Sequence, residues 1–284
     1  MLNIEVIAHQ YDTFLVQDPA TGQYTTNYLM PYIVIELSKR GHQITITKDI
    51  RNAVPKGDVA ILHVDATVVP DEYMGYARAF PLCVNGKVGN ISKRLVSQAV
   101  VAKGEPWDGP VIVKSNYNCC GKSELFLNQV ATEAGDAPPF PGFKAMENYT
   151  VYESIREVPG DIFDDPYLVV EKFMPEIDPE GYAVRSYIFC GNEERCARYL
   201  SKEKIIKGSN FIRKDPAPVP EELRELRKKL GFDYGKFEFV VHDGRPVVID
   251  TNKTLGLPQG TLQNIEEMAG QLANGFESMV SKIR

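Results

Sequence analysis

The chain has 284 residues, enough for about two domains and a sizeable buried core. Apolar residues make up 43% and charged residues 25%, the balance of an ordinary globular enzyme rather than a disordered or membrane-embedded chain. A net charge of −6 argues against a general nucleic-acid or membrane surface, so neither partner is expected.

The opening stretch MLNIEVIAHQ has no basic region followed by a long apolar run, so no secretory leader is expected. No apolar run approaches the roughly 18 residues that span a bilayer. Cys83, Cys119, Cys120, Cys190 and Cys196 are odd in number and show no C-x-x-C spacing. That disfavours a disulfide framework or zinc site and points to reduced thiols in a cytoplasmic setting.

In chain order, residues 4–8 read as a short strand, and 29–39 have helical spacing that stops at Gly41. Ile44, Ile46 and Ile50 lie in or near a second strand, and VAILHV (59–64) suits a buried parallel strand. This order predicts a βαβ layer, and no G-x-G-x-x-G follows the first strand. Ser92 predicts a helix over 93–103 ending at Gly104, followed by a loop and the strand PVIVK (110–114). Residues 116–124 read as a polar, turn-rich loop, and 135–142 as a proline-rich connection. Further strands are predicted over 167–173, 182–190 and 196–201. Pro220 opens a helix whose apolar face is Leu223, Leu226 and Leu230 and which ends at Gly231. Residues 236–242 and 247–252 flank the turn DGRP as an antiparallel hairpin, and the last twenty residues form an amphipathic helix.

The hairpin carries the most chemistry. Glu238 lies mid-strand, while Asp250 and Asn252 sit two apart on the neighbouring strand and share one face. Hard oxygen ligands of this kind suit Mg²⁺, which completes its shell with water and substrate phosphates. A solvated hairpin face is the other reading of the same residues.

A strand carboxylate, then Asp-x-Asn twelve residues on, then a short turn and glycine resembles the metal-binding end of the ATP-grasp superfamily. Leu255 stands here where members often have proline. The resemblance implies an N-terminal α/β domain (1–88), a subdomain with the phosphate lid (89–168) and a C-terminal subdomain with the metal site (169–284). The fold class expected is thus α/β, a βαβ domain ahead of two α+β subdomains that clasp ATP. Lys93 and Lys114 match the two cations that contact ATP phosphates. The loop after Lys114 matches the lid, of whose usual small residues Gly121 remains, beside Cys119 and Cys120. VVEKFMPE (169–176) is similar to the adenine hinge, which implies roles for Glu171, Lys172 and Phe173, with Glu180 or else Glu176 on the ribose. Arg185 matches an arginine of the amino-acid-ligating members' substrate site, and Arg198 a cation near the γ-phosphate. Lys236, two residues before Glu238, is a further candidate cation.

By that resemblance the cofactors are ATP with Mg²⁺ or Mn²⁺, and the reaction is ligation of a small carboxylate to an amine through an acyl phosphate. A phosphotransferase with a hydroxyl acceptor and a nucleotide-binding regulator without turnover are the alternatives. Substrate specificity is expected from the N-terminal domain, with His9, Tyr11 and the 18–28 loop, and from the surroundings of Arg185, Asn210 and Lys253, and a homodimer is the default assembly.

Overall fold

The computed structural model describes residues 1–17, 24–144, 146 and 148–281. Among them no helix is long and apolar enough to cross a membrane. The chain begins with β1 (Asn3–Ala8), the short hairpin β2 (Val16–Gln17) and β3 (Tyr24–Thr25), α1 (Met30–Lys39), β4 (Gln43–Thr47), β5 (Val59–His63), α2 (Asp71–Ala77) and β6 (Cys83–Val84). β4, β1, β5 and β6 pair in that order as a parallel sheet. The VAILH of β5 is buried throughout, as a strand covered on both faces must be. Pro31 in the first turn of α1 gives up no hydrogen bond there, and Gly41 takes a left-handed φ of 93° just beyond its end.

Next come α3 (Lys93–Val96), β7 (Val111–Ser115), α4 (Lys122–Glu133), β8 (Thr150–Tyr152) and β9 (Leu168–Lys172), and β8, β7 and β9 form an antiparallel sheet. The expected helix over 93–103 is only the single turn α3. From Ser97 the chain leaves the helix, turns at 98–99 and bridges β9 at Val100, because two sheet edges satisfy its backbone better than a helix would. Gln98 N donates to Val248 O at 2.8 Å, and Lys172 N and Val101 N exchange bonds with Ala99 O and Val170 O. β-Branched Val100 and Val101 favour that conformation. The 116–124 segment also departs from a simple loop: a 3₁₀ turn over Asn118–Gly121 leads into α4, which buries Leu127 and Ala131. The boundary expected at 168 falls on β9, whose pairing with β7 extends this sheet to Lys172.

The remaining elements are β10 (Glu176–Asp178), β11 (Gly181–Cys190), β12 (Glu193–Ser201), β13 (Phe211–Pro216), α5 (Glu221–Leu230), β14 (Tyr234–His242), β15 (Arg245–Asn252) and α6 (Leu262–Val280). They build a sheet ordered β13-β12-β11-β14-β15, with β10 also on β11. One face packs Tyr187, Phe189, Phe237, Phe239 and Val248 against Leu223 of α5. The C-terminal helix α6 shares its core with α1 and β1, so the end of the chain is folded into the N-terminal layer.

Candidate active site

The free face of the six-stranded sheet and the small β8-β7-β9 sheet enclose a cavity of about 800 Å³. Ile112, Phe173, Met174, Val184, Val240 and Ile249 give it an apolar end, and Lys93, Lys114, Glu238 and Asp250 a charged end. Residues 203–208 cover one side, and Cys119 and Cys120 another.

The hairpin register puts Glu238, Asp250 and Asn252 on one face; Glu238 and Asp250 line the cavity, whereas Asn252 and Lys236 do not. Glu238 stands opposite Asp250, and Lys236 opposite Asn252. A bulge makes this possible: Phe239 pairs with Val248, so Ile249 is the extra residue. Without it, Val248 and Asp250 would share a face, whereas here Val248 enters the core and Asp250 faces the cavity.

Two lysines pair with these carboxylates, and a third pairs with Glu171. Lys93 is 1% exposed, donates to Tyr117 O at 3.0 Å and sits 3.2 Å from Asp250 Oδ1. Burial opposes its charge, but Asp250 and Glu171 outweigh that and hold its pKa above the ordinary value. Lys236 lies 2.6 Å from Glu238 Oε1 and keeps the Glu238 carboxyl below its usual range. Lys114 lies 2.7 Å from Glu171 Oε2, an ion pair without the alignment of a good hydrogen bond. Asn252 Oδ1 accepts from Thr254 N at 2.8 Å, which fixes the amide.

Several expected residues are placed elsewhere. Arg185 stands opposite Phe239 and Arg198, so both arginines project from the α5 face, away from the cavity. There Arg185 clasps Glu176 through Nε (3.0 Å) and Nη2 (2.8 Å), and Arg198 bonds Glu176 and Asp178. Glu176 is thereby withdrawn from any ribose role. Glu180 pairs with Arg213 at 2.6 Å and does not line the cavity. Glu171 lines the cavity, but its carboxylate is committed to Lys114 rather than free for an adenine edge. Phe173 and Lys172 both line the cavity, though the Lys172 ammonium is held by Glu105 at 2.9 Å and lies over the Trp107 ring. Gly121 is not on the cavity wall. Its φ of 75° starts α4 beneath Phe143, and a Cβ there would meet Phe143 Cζ at 2.0 Å.

Among the residues expected to set specificity, Asn210 lines the cavity. His9 is stacked on Tyr73 and buried, and the Tyr11 hydroxyl donates to Asp136. Residues 18–23 of the 18–28 loop lie outside the described residues. Lys253 is fully buried, donating to Val64 O at 2.5 Å and Ala66 O at 2.8 Å. Around it lies a polar cluster that the sequence did not single out: Asp12, Tyr28, His63, Asp65, Ser123 and Glu124. Its location has a topological reason. β1 leads through α1 to β4 on one side, while β5 leads to β6 on the other, so a crevice opens at the carboxyl ends of β1 and β5. The chain leaving β1 carries Asp12, and β5 ends on His63 with Asp65 just beyond. An acidic residue just past each of two parallel strands was the available signal.

No protein-family model matches the chain, and no curated protein sequence matches it. Solved structures match along nearly the whole chain. The ATP-grasp ligase PsnB, complexed with minimal precursor, Mg and ADP, is 11% identical, with 97% of this chain and 96% of that one covered and a TM-score of 0.53. The macrocyclase MdnC from Microcystis aeruginosa, bound with precursor peptide MdnA, is 10% identical over 96% of this chain and 99% of that one, at 0.52. A RimK domain ATP-grasp protein from Sphaerobacter thermophilus is 12% identical over 96% and 99%, at 0.51. From its first strand to its last helix, the chain has the fold of the ATP-grasp ligases.

Proposed function

We propose that the protein is an ATP-dependent ligase that phosphorylates a substrate carboxylate and joins it to an amine. The observation that carries this reading is the convergence of Lys93, Lys114, Glu238 and Asp250 at the charged end of one cavity whose other end is apolar. That cavity suits a nucleotide, with the base among Ile112, Phe173, Met174 and Val240 and the triphosphate at the lysines.

The donor set fits magnesium. Among the described residues no three His, Cys, Asp or Glu side chains form a self-sufficient metal site. Two carboxylates and an amide oxygen are what Mg²⁺ takes when nucleotide phosphates supply the rest. Glu238, Asp250 and Asn252 would hold the ion, which offsets charge on the transferring phosphoryl group. Because each lysine is paired with a carboxylate, the empty-handed charge of the wall is small, and a metal-bound triphosphate enters without a large imbalance.

Lys93 and Lys114 act as point charges on phosphate oxygens. Lys236 keeps Glu238 ionised and in place. A substrate carboxylate oxygen attacks the γ-phosphorus and ADP leaves. The amine nitrogen then attacks the acyl carbon, phosphate leaves, and the nitrogen sheds a proton. Residues 203–208 screen the intermediate from water. We further propose residues 1–88 as the acceptor-side domain and the two following sheets as the nucleotide clasp.

The test is ADP release with carboxylates and amines supplied in pairs, with hydroxylamine as a trap. Hydroxamate formation dependent on ATP and on the carboxylate supports the ligase. A stable phosphorylated alcohol, or tight ATP binding without turnover on the whole panel, refutes it.

A further inference from the structure

β7 and β8 are antiparallel neighbours, yet residues 116–149 separate them where a hairpin connection needs about two to five. This long connection leaves its own sheet and reaches the N-terminal layer. At its start Asn118 N donates to Thr67 Oγ1 at 2.9 Å, and the fully buried Glu124 carboxylate accepts from Thr67 N at 2.6 Å. Ser123 Oγ donates to Asp65 Oδ2 at 2.7 Å. Beyond α4, the Tyr11 hydroxyl donates to Asp136 Oδ2 at 2.8 Å, and Phe140 packs against the core of Ile7, Leu62, Val69 and Tyr73. The Asn128 side chain clamps the return, accepting from Phe140 N at 2.8 Å and donating to Phe140 O at 2.7 Å.

The backbone at the cavity wall is strained. Cys119, Cys120 and Gly121 have φ of 46°, 60° and 75°, three left-handed residues in succession, two of them with side chains that oppose it. A free loop relaxes out of such a turn, which persists only where its surroundings over-determine it. Here Thr67 holds both flanks, and Phe143 lies on Gly121 between the rings of Tyr117 and Tyr167, 4.5 and 5.5 Å from its own. Residues 203–208, on another side of the cavity, are built differently. They are knitted to themselves through Asn210, whose side chain accepts from Lys207 N at 2.8 Å and donates to Ile205 O at 3.0 Å. Ile205 and Ile206 line the cavity instead of joining a core. The nearby ties to other segments are exposed: Gln259 Nε2 to Gly208 O at 2.5 Å and Lys202 Nζ to Glu180 O at 2.7 Å. Exposed bonds are cheaply exchanged for water, whereas opening the first segment would strand a buried carboxylate and two buried N–H groups.

We propose that residues 116–144 are a fixed strut joining the N-terminal layer to the β8-β7-β9 sheet, and that nucleotide enters and leaves past residues 203–208 alone. This reverses the lid expected after Lys114, and it rests on the ligase reading only for the identity of the ligand. Lys93 donates to Tyr117 O inside the strut, so the phosphate end of the cavity is formed before nucleotide arrives. Closure then belongs to one short segment, and the N-terminal layer and the small sheet move as one body.

The test is amide hydrogen exchange on the full chain, free and with ADP and magnesium. In the free protein the Asn116 and Asn118 amides, bonded to Tyr167 O and Thr67 Oγ1, should exchange at least about a hundredfold slower than in an unstructured chain. Nucleotide should change them by less than about threefold, while residues 203–208 exchange fast when free and gain at least about tenfold protection. Thr67→Val removes the acceptor of Asn118 N and keeps the bond from its own N–H to Glu124, so Asn118 should exchange at least about fivefold faster. Trypsin should cut the free protein after Lys204 or Lys207 and spare Lys122, though all three are exposed. Exchange of residues 116–124 at the unstructured rate, slowed about tenfold or more by nucleotide, is the behaviour of a lid and overturns the proposal. Absence of nucleotide protection at 203–208 overturns it equally. The strut is read in the free protein without turnover, so failure of the ligase reading shows separately, as absent hydroxamate.

Discussion

Replacing Glu171 by glutamine keeps the shape of a fully buried side chain and deletes its charge. The Lys114 ammonium, 2.7 Å away and itself 11% exposed, then loses its counter-charge. At that separation the attraction in an effective dielectric near 20 is about 6 kcal/mol. Desolvation of both groups offsets part of it, and breaking buried pairs one-sidedly costs about 3–5 kcal/mol. Lys114 borders the cavity, where water reaches it, so the lower end applies: about 3 kcal/mol, or a fall in Tm of about 6–10 °C. ATP should repair this, because a triphosphate restores negative charge at Lys114. Thermal melts with and without MgATP are expected to show a larger ATP-induced rise in the variant than in the parent. Calorimetry should give an ATP affinity equal to the parent's or tighter, with the ratio of ATP to GTP affinity the same in both proteins. A variant of unchanged Tm that loses ATP affinity tenfold or loses its base preference would refute this account and return Glu171 to the adenine edge.

Glu238→Gln and Asn252→Ala are each expected to reduce Mg-dependent turnover by at least about a hundredfold with circular dichroism unchanged; parental rates in both would remove the metal assignment. Arg185→Gln should destabilise the protein by about 1–3 kcal/mol in urea unfolding, by removing one of the two arginines that bond Glu176 while Arg198 remains, and should change kcat less than about threefold. A collapse of kcat at unchanged stability would place the arginine at the substrate after all. Gly121→Ala should cost more than about 2 kcal/mol, part steric and part from φ, and Phe143→Ala should recover only the steric part in a double-mutant cycle. Lys253 is lowered by burial to about 8, so the unfolded chain binds the extra proton between pH 8 and 10.5. Stability therefore gains a rising contribution across that window, which Lys253→Met should abolish in urea midpoints at pH 7.5, 9 and 10.5.

What was legible in the sequence is what depends on local pattern. The hairpin over β14 and β15, the helix α5 between Pro220 and Gly231, and the buried strand β5 each follow from periodicity and turn chemistry. The segment after α3 was misread because its alanines and valines satisfy helix and strand alike. Only the edges of β9 and β15 select the extended form, and those edges come from distant parts of the chain.

Side-chain direction shows the same divide more sharply. Arg185 and Glu238 lie in neighbouring strands, and the resemblance to the amino-acid-ligating members puts both in the active site. In the sheet, though, Ser186 and not Arg185 stands opposite Glu238, so one step of register sends the arginine to the α5 face. The bulge at Ile249 works in the other direction, returning Asp250 to the cavity while Val248 stays in the core. Parity along a strand is legible; parity between strands is fixed by pairing, and here it decides which charged groups can meet a nucleotide. The crevice residues illustrate the next level of remoteness. Asp12, His63, Glu124 and Lys253 come from four separate stretches, and none carries a local pattern. What assembles them is the order β4-β1-β5-β6, which opens the sheet at one place, and the loop after β15, which drives Lys253 into that opening.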